Sequence, residues 1–243
     1  MLIACPSKSR AGRITSDRVV PTSVLFVPAN EVRDYEATSS CKVVAVPSTV
    51  RGITPTRNWI LEYAAATGIE RVVFVDDDAR FVGWFDVHAR HMRRRRLGAD
   101  AILSEFERFF DLTEEMGYRL WGVKTESAAR SYYPYKPFLT RTYVTASCCG
   151  MFSAGPRALR FDERFVVKED YELCLRAMKE DGGILGIRYI TWENDHWTMD
   201  GGCKDYRTSR IEADCIRLLQ KLYPGVVQHK PSASGQYTIK LNL

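Results

Sequence analysis

The chain has 243 residues, a mass of 27.8 kDa, a formal net charge of +5 and a pI of about 8.8. An apolar content of 45% with a charged content of 27% excludes a disordered or fibrous chain and predicts one large globular domain with a substantial core. The mild basic excess suits phosphate-rich ligands without requiring nucleic acid.

The cysteines and the N-terminal segment bear on the compartment. Seven cysteines are odd in number, widely spaced and without a C-x-x-C pair, which argues against a zinc ribbon and a disulfide scaffold. The start MLIACPSKSR lacks the apolar stretch of a signal peptide, and nowhere do about 18 apolar residues run together as a membrane span requires. We expect a reduced, cytoplasmic protein without a membrane segment.

Short apolar runs alternate with helical patterns in the first half, which is typical of an α/β domain with a largely parallel sheet. The four predicted strands, rich in β-branched residues, are Leu2 to Cys5, Val24 to Val27, Val43 to Val46 and Val72 to Val75. Before the fourth strand, a helix is predicted to begin at Thr56–Arg57–Asn58 and to stop at Gly68, giving a strand–helix–strand unit.

The second half is predicted to contain further helices and fewer strands. Aromatic and proline residues at 131–144 indicate a loop with short strands, and the tail at 229–243 is strand-like only at its end. The other predicted elements are helices from about Trp84 to Leu97, Ala99 to Met116, Glu169 to Glu180 and Ser209 to Leu222, and a strand from Ile187 to Thr191.

The sharpest motif is RVVFVDDDARF, in which an apolar strand delivers Asp76, Asp77 and Asp78 to its carboxyl end, where ligands bind in open α/β sheets. Alternation along an extended backbone predicts that Asp76 and Asp78 point to one side and Asp77 to the other, as a D-x-D pair. Three adjacent acids need compensation, and hard oxygen ligands suit Mg²⁺ or Mn²⁺ bridged to a diphosphate. The alternative is a solvated acidic turn.

The position of this strand and the preceding Arg57–Asn58 helix resemble the GT-A (Rossmann-like) glycosyltransferase fold, with a mixed central sheet flanked by helices. The resemblance implies that the loop CPSKSRAGR after the first strand holds the nucleotide of a UDP-sugar. Its candidate contacts are Pro6, Ser7 and Arg10 for the base and ribose, Lys8 and Arg13 for the diphosphate, and Arg57 and Asn58 beneath the nucleotide. The alternatives are a basic loop without a phosphate role and an ordinary helix start.

Two later motifs complete this resemblance. Gly150 to Phe152 looks like the strand that lines the acceptor side, and KEDYELCL resembles the E-D-x-x-L helix start that often carries the catalytic base, here Asp170 with Glu169 second. A carboxylate at a helix N-terminus stays ionised and can accept a proton, although it can also merely stabilise the helix. His196 in WENDHW is a candidate further metal ligand or a structural histidine.

Together, PSKSRAG, FVDDDARF, CCGMF, KEDYELCLR and ENDHW resemble the TET-associated glycosyltransferases of bacteriophages. That resemblance implies transfer of a hexose-type sugar to 5-hydroxymethylcytosine in phage DNA, in the host cytoplasm, with residues 1–100 as the donor half and 101–243 as the acceptor half. The arginine run at 90–96 suits phosphate contacts or forms a solvated face, and Tyr132–Tyr135 could stack on a base or belong to the core. A protein, glycan or small-molecule acceptor and a non-catalytic binding module are the alternatives.

Overall fold

A computed structural model describes residues 1–86, 93–123, 132–195, 202, 206–230 and 238–243. The strands are β1 (Leu2–Pro6), β2 (Val24–Pro28), β3 (Val43–Val46), β4 (Arg71–Val75), β5 (Ala79–Asp86), β6 (Arg93–Arg96), β7 (Leu120–Val123), β8 (Phe138–Leu139), β9 (Cys148–Phe152), β10 (Leu185–Ile187), β11 (Ile190–Asn194), β12 (Val227–Lys230) and β13 (Thr238–Leu241). The α-helices are α1 (Ser16–Val19), α2 (Val32–Glu36), α3 (Ile53–Ala66), α4 (Ala99–Glu115), α5 (Glu169–Asp181) and α6 (Ser209–Leu222), and Ala29–Glu31 forms a 3-10 turn.

The central sheet has eight strands in the order β3-β2-β1-β4-β9-β7-β10-β8. Strands β1 to β4 are mutually parallel, β9 runs antiparallel between β4 and β7, and β8 is an antiparallel edge strand. The interior strands β1, β4 and β9 are almost wholly apolar because both faces of the sheet are covered. The predicted α/β class with a mixed sheet flanked by helices is confirmed.

Each face of the central sheet carries its own apolar core. Helix α4 contributes Phe106, Phe109 and Phe110 to one face, where they surround the ring of Trp121 from β7. Helices α3 and α5 cover the other face. A side chain at Gly150 would overlap the Trp121 ring, so the absence of a Cβ there lets β7 and β9 pair closely around this large buried ring.

A second, three-stranded sheet in the order β11-β5-β6 corrects one sequence-based prediction. The segment expected to be a helix from Trp84 to Leu97 is extended at both of its described ends, and β5 and β6 pair antiparallel. Contacts with distant segments explain this difference. Strand β5 carries the apolar residues Phe81, Val82 and Phe85, and its other edge pairs with β11. Residues 87–92 lie outside the described part of the chain.

Two smaller differences from prediction concern element boundaries, and one predicted helix keeps its bounds. The strand expected at 187–191 is two strands, β10 in the central sheet and β11 in the small sheet. Helix α3 begins at Ile53, so Arg57 and Asn58 lie in its second turn and not at its start. Helix α6 agrees with its predicted bounds, and together with the β12–β13 hairpin it forms a third apolar cluster against α5.

Among the described residues, six cysteines are free and buried: Cys5, Cys41, Cys148, Cys149, Cys174 and Cys215. Burial raises the pKa of the Cys5, Cys148 and Cys174 thiols well above the ordinary value, so these side chains behave as small apolar groups. No helix in the described ranges combines the length and the apolar character that crossing a membrane requires.

Candidate active site

The aspartate triplet lies where the sequence places it, at the carboxyl end of β4, but not in strand conformation. Strand β4 ends at Val75, and the triplet forms the turn into β5. The backbone N–H of Asp76 donates to the carbonyl of Ser147 (3.1 Å). Because the triplet forms a turn, alternation along an extended backbone does not apply to it, and each carboxylate has its own protein partner. The pairing of Asp76 with Asp78 stays a prediction.

Asp77 faces the loop after β1. It is buried, and its carboxylate accepts hydrogen bonds from Arg10 Nη1 (2.5 Å) and from the hydroxyl of Ser7. Tyr35, in turn, lies 2.7 Å from the Ser7 hydroxyl and accepts a bond from the Arg10 backbone N–H (3.0 Å). Burial raises the pKa of Asp77 although Arg10 and Ser7 oppose the rise. These contacts fix the loop that the sequence assigns to the nucleotide.

Asp78 faces the end of β11, a contact that the sequence did not predict. Its Oδ1 accepts a hydrogen bond from Asn194 Nδ2 (2.7 Å), and its carbonyl accepts from the backbone N–H of Asp195 (3.0 Å). The Oδ1 atom of Asn194 is buried and has no hydrogen-bond partner within the described structure. The sequence does single out the ENDHW motif that contains Asn194. Within that motif, however, residue type draws attention to the histidine as a ligand and not to the asparagine.

Arg57 joins the triplet to the start of α5. Its guanidinium lies 2.5 Å from Glu169 Oε1 and 3.4 Å from Asp76 Oδ1, and its side chain is only 5% exposed. The rings of Phe74 and Phe161 flank the guanidinium at 5.9 and 5.5 Å. A buried guanidinium needs such compensation, so Arg57 holds Asp76 and Glu169 in one cluster.

Asp76 is the least enclosed of the three aspartates. Its carboxylate lies deep among protein groups, yet 31% of its side chain reaches solvent. Burial raises the pKa of Asp76 to about 7; Arg57 opposes this rise, and the neighbouring carboxylates Asp78 and Asp77 add to it. Asp76 is therefore poised between its protonated and ionised forms near neutral pH.

At the start of α5, Asp170 and Glu169 have different surroundings. Glu169 is buried against Arg57, and burial raises its pKa while Arg57 opposes the rise. Asp170 is half-buried; its Oδ2 accepts a hydrogen bond from the Tyr143 hydroxyl and its Oδ1 accepts from the backbone N–H of Tyr171 (2.9 Å). Burial raises the pKa of Tyr143 well above the ordinary value, so Tyr143 remains a donor. Of the two acids, Asp170 is the more accessible to solvent.

The other predicted nucleotide contacts differ in accessibility. Asn58 is buried and bonds the segment before α5, through the carbonyl and N–H of Phe161 (2.9 and 2.8 Å) and Glu163 Oε1 (2.9 Å). Pro6 is buried at the end of β1, whereas Lys8 and Arg13 are exposed on the loop beyond it. His196 lies outside the described residues.

The donor chemistry of the cluster fits a hard divalent cation. Among the described ion pairs, the four acids Asp76, Asp77, Asp78 and Glu169 contact two guanidinium groups, those of Arg10 and Arg57, so the cluster carries an excess of negative charge when all four are ionised. Within the described ranges, no three His, Cys, Asp or Glu side chains gather closely enough to hold an ion by themselves. Mg²⁺ and similar ions at phosphate sites are commonly held by one or two carboxylates, the rest of the shell coming from phosphate and water.

Two open depressions, of about 390 and 400 Å³, lie elsewhere on the described surface, and neither is lined by the triplet. One lies beside Ile3 and Leu103, and the other beside Phe161 and Tyr223. We therefore locate the candidate site by its converging acids and not by concavity.

Comparisons with known proteins identify a family for this chain. The sequence profile of the family described as TET-Associated Glycosyltransferase matches residues 1–202. None of the curated proteins is detectably similar in sequence. Similar solved structures include glucosyl-3-phosphoglycerate synthase from Mycobacterium tuberculosis, in complex with Mn²⁺, UDP and phosphoglyceric acid (13% identity, 98% of this chain and 85% of that chain, TM-score 0.49). Another is mannose-1-phosphate geranyltransferase from Thermus thermophilus (10% identity, 79% and 75%, TM-score 0.46).

Proposed function

The chain belongs to the TET-associated glycosyltransferase family and is a glycosyltransferase, and from this premise we propose that it transfers a hexose-type sugar from a UDP-sugar to the hydroxymethyl group of 5-hydroxymethylcytosine in DNA. The observation that carries the proposal is the Arg57 bridge, which sets the triplet beside the start of α5. This bridge supports the proposal, because a donor site at the triplet and a base at the start of α5 would be neighbours. The family name, with its TET association, supports the DNA acceptor.

On the donor side, the proposal gives Asp76 and Asp78 to a Mn²⁺ or Mg²⁺ ion, with His196 as a further candidate ligand. When bound, such an ion neutralises charge on the departing diphosphate. The loop with Pro6, Ser7, Lys8 and Arg10 would bind the nucleotide, and the Arg10–Asp77 pair would keep that loop in place. Asn58 and Arg57 would support the site from beneath.

On the acceptor side, Asp170 would take the proton of the hydroxymethyl group while that oxygen attacks the anomeric carbon of the sugar. The new bond joins the hydroxymethyl oxygen to the anomeric carbon, the bond from that carbon to the diphosphate oxygen breaks, and UDP leaves with the electron pair. The Tyr143 hydroxyl and the Tyr171 N–H orient the Asp170 carboxylate. The reaction inverts the anomeric configuration, and Glu169 serves mainly as the partner of Arg57.

In this proposal, the donor half at about 1–100 and the acceptor half at about 101–243 act as one unit. The target base lies within a stack in duplex DNA, so it has to be flipped out or offered in single-stranded form. The basic balance of the chain favours such a polyanionic acceptor.

Asp170→Asn tests the acceptor side. We expect kcat for transfer to DNA containing 5-hydroxymethylcytosine to fall by about 10²- to 10⁴-fold, the usual contribution of a general base. Glu180→Gln, an exposed acid at the far end of the same helix, is the control and should keep its rate. Mass spectrometry of the nucleosides and analysis of the anomeric linkage provide the measurement.

Three results would change the proposal. An α-linked product from an α-linked donor would remove the base role of Asp170. Sugar transfer to a protein, glycan or small molecule, with none to DNA, would remove the DNA acceptor. A folded protein that neither transfers sugar nor releases UDP would leave only a binding module.

A further inference from the structure

The outer face of the three-stranded sheet combines aromatic rings with arginines. Gly83 pairs with Arg96 and Phe85 with Arg94 across β5 and β6, so both arginines share the face of Phe81, whose ring covers Gly83. The guanidinium carbons of Arg94 and Arg96 lie 5.2 and 4.9 Å from the centroid of the Phe81 ring. The strand form of the arginine run therefore sorts its members between two faces and fixes two of them on an aromatic platform.

The two arginines on this platform differ in their partners. Arg94 forms an ion pair with Glu193 of β11. Arg96 is exposed and, among the described residues, makes no ion pair; its described contact is the Phe81 ring. A guanidinium held in place by a ring and open to solvent can bind a phosphate without first losing a carboxylate partner.

Residues 132–135, here called the tyrosine segment, adjoin this outer face through Tyr132. The ring of Tyr132 stacks on Phe85, with centroids 4.9 Å apart and planes inclined by 12°. Two residues of the following turn project outward: Tyr133 is 52% exposed and Tyr135 85% exposed, and their rings meet edge to face at 5.5 Å. Tyrosine rings so exposed contribute little to the core of the chain, but they offer flat faces to a ligand.

This surface is continuous with the candidate active site through β11. Glu193, which pairs with Arg94, is followed directly by Asn194, which binds Asp78. Arg80, on the strand beside it, lies 2.7 Å from Asp195. The outer face therefore reaches, at Glu193, to within one residue of the side chain that binds Asp78.

We propose that the outer face of the small sheet together with the adjoining residues 132–135, with Arg96 and Tyr135 as the main contacts, binds a single-stranded segment of the acceptor DNA and leads the target base to the active site. The inference rests on the DNA acceptor of the proposed function and adds the surface that holds it. Arginine beside exposed aromatic rings fits a phosphodiester chain with unpaired bases, since phosphates bind guanidinium and every base can stack on a ring. An acidic peptide would use the arginines but not the tyrosines.

Two substitutions and two matched controls test this surface. Arg96→Glu removes the anion contact, and Arg210→Glu makes the same charge change on α6, at a side chain 92% exposed. Tyr135→Ala removes the exposed ring, and Tyr135→Phe keeps the ring without its hydroxyl. Binding of a fluorescently labelled single-stranded oligonucleotide is followed by anisotropy at several salt concentrations, with circular dichroism as a check that each variant is folded.

We expect Arg96→Glu and Tyr135→Ala each to raise Kd about tenfold, while the two controls stay within about twofold of wild type. Arg96→Glu should also reduce the slope of log Kd against log salt by about one. Unchanged Kd in both test variants, or equal weakening by Arg210→Glu, would overturn the proposal.

Sugar transfer to the same oligonucleotide, carrying 5-hydroxymethylcytosine, separates the two ideas. If wild type transfers sugar to it but Arg96→Glu and Tyr135→Ala leave the KM for DNA unchanged, the surface is wrong and the proposed function stands. If the surface variants lose binding but wild type glycosylates no DNA, the surface stands and the proposed acceptor is wrong.

Discussion

The charge state of Asp76 is open to change near neutral pH. Burial raises its pKa to about 7, so its carboxyl group holds a proton in the folded chain at pH values where the unfolded chain, with a pKa near 3.8, has lost it. Protons bound in excess by the native state make stability fall as pH rises. The stability contributed by protonated Asp76 is fully present below about pH 4 and is lost as pH rises through about 7.

Asp76→Asn should therefore gain stability relative to wild type as pH rises from about 5 to 8 in metal-free buffer, because asparagine cannot ionise. Thermal unfolding of both proteins in the presence of a chelator measures the difference in Tm at each pH. Asp34→Asn, an exposed aspartate on α2, is the control and should show no such trend. A difference between Asp76→Asn and wild type that does not vary with pH would contradict the assigned pKa.

At the scale of elements, the start of α5 depends on an unusual backbone conformation. Lys168 precedes the helix with φ of 66°, a left-handed value that glycine adopts at little cost. Its ammonium lies 3.0 Å from Glu212 of α6, and both side chains are largely buried. Helix α6 thus holds the residue that directs the chain into Glu169 and Asp170.

Substitution at Lys168 should show this strain. Lys168→Gly and Lys168→Ala both lose the ion pair, but we expect the glycine variant to be more stable by about 1 kcal/mol because it relieves the positive φ. At Lys179, inside the same helix, the order should be reversed, with alanine favoured by about 1 kcal/mol. Urea unfolding measures all four variants. Equal stability of the two Lys168 variants would show that the conformation stores no strain.

The elements also show what the sequence could predict. Runs of β-branched residues located β1, β2 and β4, and apolar periodicity located α4 and α6, because in each case local pattern and burial agree. The edge strand β3 was located by its residue types alone. In the arginine run, by contrast, local pattern and structure disagree. Arginine has a high helix propensity, but pairing with β5 makes residues 93–96 a strand. Pairing of this kind depends on segments distant in sequence.

The same limit applies to the candidate site. The triplet and the Glu169–Asp170 pair were recognisable because their residue types and local context are distinctive. The Asn194–Asp78 bond joins residues 116 positions apart, and the Arg57–Glu169 pair spans 112 positions. To predict these two contacts one needs to know how the tertiary structure brings β4, β11 and α5 together.

For the whole molecule, the family match and the structure cover different extents. The match ends at residue 202, whereas α6 and the β12–β13 hairpin lie beyond it. These later elements pack Cys215, Leu219 and Val227 against Phe165 and Leu175. The part of the chain beyond the match therefore packs against the helix that carries Asp170.

The most direct test of the proposed donor site measures transfer of radiolabelled sugar from UDP-sugars to DNA containing 5-hydroxymethylcytosine. Wild type and Asp78→Asn are compared with and without Mn²⁺. Asp34→Asn serves as the control for loss of an exposed acid. We predict metal-dependent label on DNA with wild type and the control, and a loss of at least about 10²-fold with Asp78→Asn, the scale of removing one transition-state charge contact. Full transfer by Asp78→Asn, or transfer that no metal affects, would contradict the assignment of the aspartate triplet as the donor site.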